Sequence, residues 1–172
     1  MTNLYFLRHG HAHERDEWKT QDDELRPLTA EGITAMHQEA VVLRYLQPDF
    51  STILTSPLVR ARETAEIVQQ VFPELSIVED ALLKPGFGMK ALEKLLKQYD
   101  GHENLLMVGH EPQLTEITKG IIHKDKTASC NIVLKKAGLV RINISKSNPS
   151  PKGELRWLLT PRIFKAIVKS SP

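Results

Sequence analysis

The chain has 172 residues, of which 41% are hydrophobic and 26% charged, and its formal net charge is +2; this is typical of a soluble globular protein that buries a proper core. It contains no apolar run near the ~20 residues that a membrane span requires, and residues 1–3 lead into the first apolar run without a basic segment or cleavage signal. The single cysteine, Cys130, excludes an internal disulfide framework. We therefore predict one domain, residues 1–172, located in the cytoplasm.

The first apolar run, Leu4 to Leu7, is followed at once by Arg8, His9 and Gly10. Four consecutive apolar residues are typical of a short buried strand in a parallel sheet. In open α/β sheets, ligands bind at the carboxyl ends of such strands. A histidine there can act as a base, a metal ligand or a nucleophile, and the neighbouring arginine favours an anionic substrate.

A polar segment, residues 11–26, has no apolar periodicity and is predicted to be a loop. It leads into Arg26-Pro27-Leu28-Thr29, where Thr29 is a good N-cap for a helix with Glu31 in its first turn. One face of that helix is predicted from apolar residues that recur every three or four positions: Ile33, Met36, Ala40, Leu43 and Leu46.

Residues 51–55 predict a second strand, and Ser56-Pro57 predicts a helix start with serine as N-cap and proline at the first helical position. Arg60 then falls in the first turn, off the predicted buried stripe of the helix. Both the helix dipole and the guanidinium favour an anion at that point. Residues 76–78 predict a third strand, and a helix is expected from about residue 91 to residue 99.

Residues 104–108 repeat the opening pattern, because an apolar strand is again followed by a histidine, here in Gly109-His110. Glu111-Pro112 then begins another predicted helix. Two strands therefore end in a histidine, and a third leads into a helix with an arginine in its first turn. This repetition is a stronger signal than any one of the three motifs.

The last third of the chain has a different pattern and a different charge. Residues 131–134 and 139–144 predict a C-terminal β-hairpin, followed by a strand at residues 154–160 and a helix from Pro161. Residues 119–172 contain 12 basic residues (Lys and Arg) and 2 acidic residues (Asp and Glu). Residues 1–118 contain 11 basic and 19 acidic residues. Such a basic region fits an acidic partner, nucleic acid or solvated surfaces. We favour solvated surfaces over nucleic acid, because aromatic residues are not interleaved with the lysines.

The predicted strand and helix ends bring His9, Arg60 and His110 to one edge of one sheet. Two imidazoles and one or two guanidiniums suit a phosphoryl group, whose transfer needs charge stabilisation and an aligned nucleophile. A neutral histidine is a competent nucleophile. The residues alone therefore indicate phosphoryl transfer.

Three segments resemble the motif blocks of the histidine phosphatase (phosphoglycerate mutase-like) superfamily: Leu7-Arg8-His9-Gly10, Ser56-Pro57-Leu58-Val59-Arg60-Ala61 and Val108-Gly109-His110. The Arg26-Pro27-Leu28-Thr29 block and the short chain resemble its SixA branch, the phosphohistidine phosphatases. The resemblance covers roughly residues 1 to 145. It implies an α/β three-layer sandwich in which helices flank a mostly parallel central sheet, with little or no cap.

The resemblance also implies a mechanism. His9 would attack phosphorus in line and become a phosphohistidine, which water then hydrolyses. Arg8, Arg26 and Arg60 would hold the phosphoryl oxygens, and His110 would add a further donor. No metal and no organic cofactor are implied.

The general acid that larger relatives carry after the third strand has no clear counterpart here. Glu79 and Asp80 lie in the corresponding region, and Asp23, Glu14 and Asp16 of the first loop are alternatives. A phosphoramidate substrate lessens the need for an acid, because a protonated imidazole is already a good leaving group. The short chain leaves little to build a cap, which favours an open site and a phosphohistidine carried by a protein.

Other functions stay open at this stage. A metal site is one alternative, because the histidines at every second position, His9, His11 and His13, would lie on one face of an extended chain. The nearby arginines, however, suit an anion better than a cation. The resemblance implies a phosphohistidine-bearing protein as the substrate, with a phosphorylated small molecule as the alternative. A mutase would need a site closed to water, and a phosphate-binding or phosphohistidine-binding module without turnover is the alternative from another class.

Overall fold

The computed structural model describes residues 2–18, 22–46, 48–123, 131–145 and 150–170, so Cys130 lies outside the described residues. The described residues form six strands: β1 (Thr2–Arg8), β2 (Thr52–Thr55), β3 (Ile77–Glu79), β4 (Asn104–Gly109), β5 (Leu139–Ser145) and β6 (Lys152–Leu159). They also form five helices: α1 (Ala30–Tyr45), α2 (Val59–Val71), α3 (Met89–Gln98), α4 (Gln113–Ile122) and α5 (Pro161–Ser170). Two short 3₁₀ turns, Asp23–Leu25 and Ala81–Leu83, complete the assignment.

The strands form one sheet in the order β3-β2-β4-β1-β5-β6. The first four strands in this order are parallel, whereas β5 pairs antiparallel with both β1 and β6. The predicted α/β class with a mostly parallel sheet is therefore confirmed.

Two separate apolar clusters cover the two faces of the sheet, which makes the fold a three-layer sandwich. Side chains of β1 alternate between them, since Tyr5 and Leu7 belong to one cluster and Leu4 and Phe6 to the other. Residues of α1, α2 and α5 complete the first cluster, and residues of α3 and α4 complete the second. Both faces of β1 and β4 are therefore packed against helices, and His9 and His110 follow these two strands.

The C-terminal hairpin is present, but its first strand is not the predicted one. Residues 131–134 form no strand, and the hairpin is the antiparallel pair of β5 and β6. The physical reason is that β1 occupies one edge of β5 and β6 occupies the other, so no edge of β5 is left for residues 131–134. Within residues 131–134, Leu134 is buried, whereas Val133 is 58% exposed.

Two predicted helix starts are also shifted. Helix α2 begins at Val59 and not at Pro57, because the amide of Ser56 still donates to the Val108 carbonyl (3.1 Å) and prolongs the sheet. Helix α4 begins at Gln113, after Glu111-Pro112. The predicted N-cap of α1 is confirmed, since Thr29 Oγ1 accepts a hydrogen bond from the Gly32 amide at 3.0 Å.

Helix α1 packs unusually close to the chain that leaves β1. A Cβ atom on Gly32 would lie 2.1 Å from the carbonyl oxygen of His11, so only glycine fits at this contact. Among the described residues, no helix combines the length and apolar character needed to cross a membrane.

Glu39 on α1 is a buried carboxyl group outside the sheet edge that carries the histidines. It is 2% exposed, and neither of its carboxyl oxygens has a hydrogen-bond partner among the described residues. Burial raises its pKa to about 8, although the charge of Lys165 on α5 acts in the opposite direction. The folded protein therefore holds a proton on Glu39 that the unfolded chain releases at lower pH.

This proton makes the free energy of unfolding depend on pH. Because the pKa of Glu39 is higher in the folded than in the unfolded chain, stability is lost as the pH rises from about 4.5 to about 8. Relative to Glu39→Gln, the wild type should lose up to ~1.4 kcal/mol per pH unit across this window. Urea denaturation of the two proteins at several pH values measures the difference, with Glu39→Met as a second neutral variant. A difference that is constant with pH would contradict the assignment.

Candidate active site

Parallel pairing of β1 with β4 brings the two histidines together. The strand register places Leu7 opposite Val108 and Arg8 opposite Gly109, and the amide of His9 then donates to the Gly109 carbonyl at 3.1 Å. The sheet therefore continues to the point where both chains present a histidine. The ring centroids of His9 and His110 lie 5.2 Å apart, at the one sheet edge that the repeated strand-end pattern predicts for both.

The environment of His9 determines its protonation. Its Nδ1 lies 2.8 Å from the carbonyl oxygen of Gly10, which only accepts hydrogen bonds, so Nδ1 carries the proton and Nε2 keeps a lone pair. Burial lowers the pKa of His9 to about 2, and the positive charges of Arg60 and Arg8 contribute in the same direction. His9 is therefore a neutral imidazole whose Nε2 is unprotonated.

Gly10 is held in place by its neighbours, and this fixes the ring of His9. The amide of Gly10 donates to Thr64 Oγ1 at 3.1 Å, and the Thr64 hydroxyl donates to the Arg60 carbonyl at 2.7 Å. A Cβ atom on Gly10 would lie 2.7 Å from Cγ of Met36, so α1 packs directly on this residue. Helices α1 and α2 together therefore position the carbonyl that orients His9.

His110 is also buried and neutral. Burial lowers its pKa to about 3, with further lowering by Arg60, Arg26 and Arg8. Its Nε2 lies 2.9 Å from Oγ of Ser56, and its buried Nδ1 has no hydrogen-bond partner among the described residues.

Two arginines adjoin the histidines. Arg8 Nη1 donates to the Leu134 carbonyl at 2.9 Å. Arg60 is 4% exposed, and its Nη1 and Nη2 donate to the backbone oxygen (2.7 Å) and to Oδ2 (3.0 Å) of Asp23. The Nε atoms of both arginines are buried without a partner in the described part of the chain. Buried donors without acceptors are costly, and a bound oxyanion would supply acceptors to both.

The first loop returns to the site because its two ends pair with each other. Ala12 and Leu28 form an antiparallel bridge, and the amide of Thr29 donates to the His11 carbonyl at 2.9 Å. The amide of Leu28 donates to Oε2 of Glu63 on α2 at 2.7 Å. The turn Asp23–Leu25 is thereby positioned next to Arg60.

Asp23 is the centre of an ion-pair cluster. Its Oδ1 lies 2.9 Å from Nε and Nη2 of Arg26, and its Oδ2 accepts from Arg60. Burial raises the pKa of Asp23, but hydrogen bonds from Arg26 and Arg15 and the charge of Arg60 outweigh that effect and lower the pKa to about 2. An ionised ion-pair partner has no proton to donate, which argues against the general-acid role suggested for Asp23.

Arg26 lies in this cluster as well, but it contacts protein acceptors through all three of its side-chain nitrogens. Nε and Nη2 contact Asp23, and Nη1 donates to the His13 carbonyl. In this structure Arg26 therefore supports Asp23 and the first loop. A direct contact of Arg26 with a phosphoryl group stays a prediction.

The other acidic candidates are engaged elsewhere or exposed. Glu14 accepts from Nζ of Lys136 at 3.2 Å, Asp16 is exposed, Glu79 lies 3.8 Å from Nη1 of Arg62, and the carboxylate of Asp80 accepts from the Leu82 amide. The structure brings none of them into the hydrogen bonds that surround His9 and His110. Within the described ranges, no group of three or more His, Cys, Asp and Glu side chains is arranged to hold a metal ion.

Sequence reasoning missed two residues of the site. The sequence predicts a helix cap at Ser56 and includes it in a motif block, but it does not predict the contact of the Ser56 hydroxyl with His110. Thr64 had no distinguishing signal, because a threonine within a helix face gives no indication that it supports Gly10 from another element.

Comparisons with known proteins identify the family and the fold of the chain. A match to the histidine phosphatase superfamily (branch 1) covers residues 4–85. An uncharacterised protein of Picosynechococcus sp. is 34% identical over 165 residues, which are 92% of this chain and 96% of the relative. The chain belongs to the histidine phosphatase superfamily.

Solved structures share the fold. The protein histidine phosphatase SixA complexed with tungstate has a TM-score of 0.77 at 20% identity, over 94% of this chain and 98% of that one. A mycobacterial glucosyl-3-phosphoglycerate phosphatase, in its complex with VO3, has a TM-score of 0.72 at 16% identity, over 91% and 98% of the two chains. The phosphoglycerate mutase-like fold predicted from the sequence is confirmed.

The cationic site predicts binding of a tetrahedral oxyanion. We expect tungstate to bind the wild type and to bind Arg60→Ala roughly 10- to 100-fold more weakly, because the variant loses a charged donor. Calorimetric titration measures the dissociation constants. The matched control is Arg44→Ala. Arg44 is an exposed arginine in the last turn of α1, where it forms an ion pair with Glu74. Equal affinity of Arg60→Ala and the wild type for tungstate would contradict the assignment of Arg60 to an oxyanion-binding site.

The neutral histidine pair predicts a second pH effect, opposite in sign to that of Glu39. The pKa values of His9 and His110 are about 2 and about 3 in the folded chain, so below about pH 6.5 the unfolded chain takes up protons first. Each histidine should lower the free energy of unfolding by up to ~1.4 kcal/mol per pH unit as the pH falls. Denaturation curves of the wild type and His110→Gln at several pH values measure this slope, which should be shallower in the variant.

Proposed function

We propose that the protein is a phosphatase that hydrolyses a phosphoryl group through a covalent phosphohistidine on His9. One observation carries the proposal: Nε2 of His9 holds a lone pair, because Nδ1 donates to the Gly10 carbonyl. His110 lies beside the His9 ring, and two arginines, each with a buried Nε that has no partner among the described residues, are close enough for their charges to lower the pKa of His9. A neutral nucleophile surrounded by donors is the arrangement that phosphoryl transfer requires.

The reaction would proceed in two steps. In the first, the Nε2 lone pair of His9 forms a bond to phosphorus while the bond from phosphorus to the leaving group breaks on the opposite side. Arg8 and Arg60 donate to the phosphoryl oxygens, and Arg26 supports Arg60 through Asp23. In the second step, water attacks phosphorus and Nε2 leaves, which yields inorganic phosphate and restores the neutral imidazole.

We propose a phosphohistidine carried by a protein as the substrate. An imidazole that leaves with a proton needs no general acid, and the carboxylate at the site, Asp23, has a pKa of about 2 and stays ionised. The similarity in fold to SixA supports the same substrate class. On this proposal the enzyme works in the cytoplasm without a metal or an organic cofactor.

A phosphorylated small molecule is the second candidate substrate. The structural similarity to glucosyl-3-phosphoglycerate phosphatase favours it, because that fold accommodates an ester of a small metabolite. An ester leaving group is a poorer one than protonated imidazole, so with Asp23 ionised the phosphohistidine reaction should be the faster.

Trapping of the intermediate tests the mechanism. A carrier protein with a labelled phosphohistidine is mixed with wild type, His9→Ala or His37→Ala, and the reaction is quenched rapidly. We expect acid-labile, base-stable label on the wild type, followed by release of phosphate, and none on His9→Ala. His37 is an exposed histidine of α1, so His37→Ala should behave as the wild type.

Label transfer, phosphate release and steady-state kinetics together separate the alternative functions. Label on the His9→Ala variant would contradict the assignment of His9 as the nucleophile. Label on the wild type without release of phosphate to water would favour a mutase. If kcat/KM were far higher for a small phosphate ester than for any phosphohistidine protein, the substrate proposal would be withdrawn. Binding without burst or turnover would favour a binding module.

A further inference from the structure

We propose that Ser56 is a positioning residue that fixes the tautomer of His110, so that Nδ1 carries the proton and faces the phosphoryl group as a donor. The assignment rests on the hydrogen bonds of three residues and holds whether or not the protein is a phosphatase. Its consequence for turnover rests on the proposed function.

The hydrogen bonds of Ser56 leave one consistent arrangement. Its Oγ accepts from the Leu58 amide at 3.3 Å and lies 2.9 Å from Nε2 of His110. A hydroxyl has one proton to give, and a buried proton needs an acceptor. Among the described residues, the atom that can accept a hydrogen bond from Ser56 Oγ is Nε2 of His110, so the hydroxyl donates to Nε2.

The opposite tautomer would leave more groups unsatisfied. If Nε2 carried the proton, it would donate to Oγ and the serine hydroxyl would lose its acceptor. Nδ1 would then be a buried lone pair with no donor among the described residues. With the hydroxyl donating to Nε2, the unpaired group is a single N–H at Nδ1, and an oxyanion can accept from it.

The sheet holds Ser56 in the position that this role requires. Its amide donates to the Val108 carbonyl at 3.1 Å, so Ser56 continues the β2–β4 pairing beside the end of β4. Ser56 is fully buried, and His110 is 4% exposed. Because both residues are buried, water competes little with the serine hydroxyl for Nε2 of His110.

The tautomer decides the sign of the interaction with a substrate. A protonated Nδ1 donates to a phosphoryl oxygen, whereas a bare Nδ1 would direct a lone pair at it and repel it. The role of Ser56 is thus parallel to that of Gly10, whose carbonyl fixes the tautomer of His9. The two histidines are set in complementary ways, with a lone pair on His9 Nε2 and a proton on His110 Nδ1.

Nitrogen NMR of the imidazoles tests the assignment directly. The full-length, ¹⁵N-labelled protein is recorded as wild type, Ser56→Ala and Ser56→Thr, with the signals of His110 identified by their loss in His110→Gln. We expect a pyrrole-type Nδ1 and a pyridine-type Nε2 in the wild type and in Ser56→Thr. Ser56→Ala should move intensity toward the tautomer with Nε2 protonated. The control is Thr118→Val, which removes a buried hydroxyl that donates within its own helix, to the Leu114 carbonyl.

Two further measurements connect the tautomer to the site. Tungstate affinity and kcat/KM should both fall roughly 10- to 100-fold in Ser56→Ala, as is usual when a residue that orients a histidine is lost. Ser56→Thr should recover both, and Thr118→Val should leave both unchanged. A wild-type spectrum with Nε2 protonated would overturn the proposal, as would an unchanged tautomer in Ser56→Ala. If no phosphoryl substrate turns over, the proposed function fails, while the spectra still decide the role of Ser56.

Discussion

The parallel pairing of β1 with β4 is the constraint on which the rest of the site depends. The hydrogen bond from the His9 amide to the Gly109 carbonyl extends this pairing one step beyond Arg8 and Gly109. A parallel register cannot slip by one residue without moving every side chain to the opposite face, and here both faces of β1 are packed against apolar clusters. The packing of the core thereby fixes the distance between the two histidines.

The electrostatics of the site follow from this placement. Two imidazoles buried near Arg8 and Arg60 have low pKa values, because burial and neighbouring positive charge both disfavour the imidazolium. Buried guanidiniums in turn need an acceptor. Asp23 supplies one from the first loop, and its own pKa is lowered as a result. One set of contacts thus keeps the histidines neutral, the arginines charged and the carboxylate ionised.

The sequence was sufficient to predict the elements that end at the site, but not the contacts between them. Apolar runs before Arg8 and His110 identify strands by local pattern, and the repeated strand–histidine order places both at one sheet edge. The hairpin prediction failed for residues 131–134, because the competition between strands for an edge of β5 is not local information. Ser56 and Thr64 were missed for the same reason, since each acts on a residue from another element.

The two arginines beside His9 and His110, Arg8 and Arg60, have the same pattern of hydrogen bonds. Each donates from an Nη atom to a protein acceptor, Arg8 to the Leu134 carbonyl and Arg60 to Asp23, and each keeps a buried Nε without a partner among the described residues. The protein contacts restrict the side-chain rotamers before a ligand binds, so less entropy is lost on binding. A guanidinium can serve both purposes because its donors lie in one rigid plane, whereas an ammonium group has no such fixed second donor. A lysine at either position could donate a hydrogen bond to the protein acceptor or to the oxyanion, but it could not donate to both in a defined geometry.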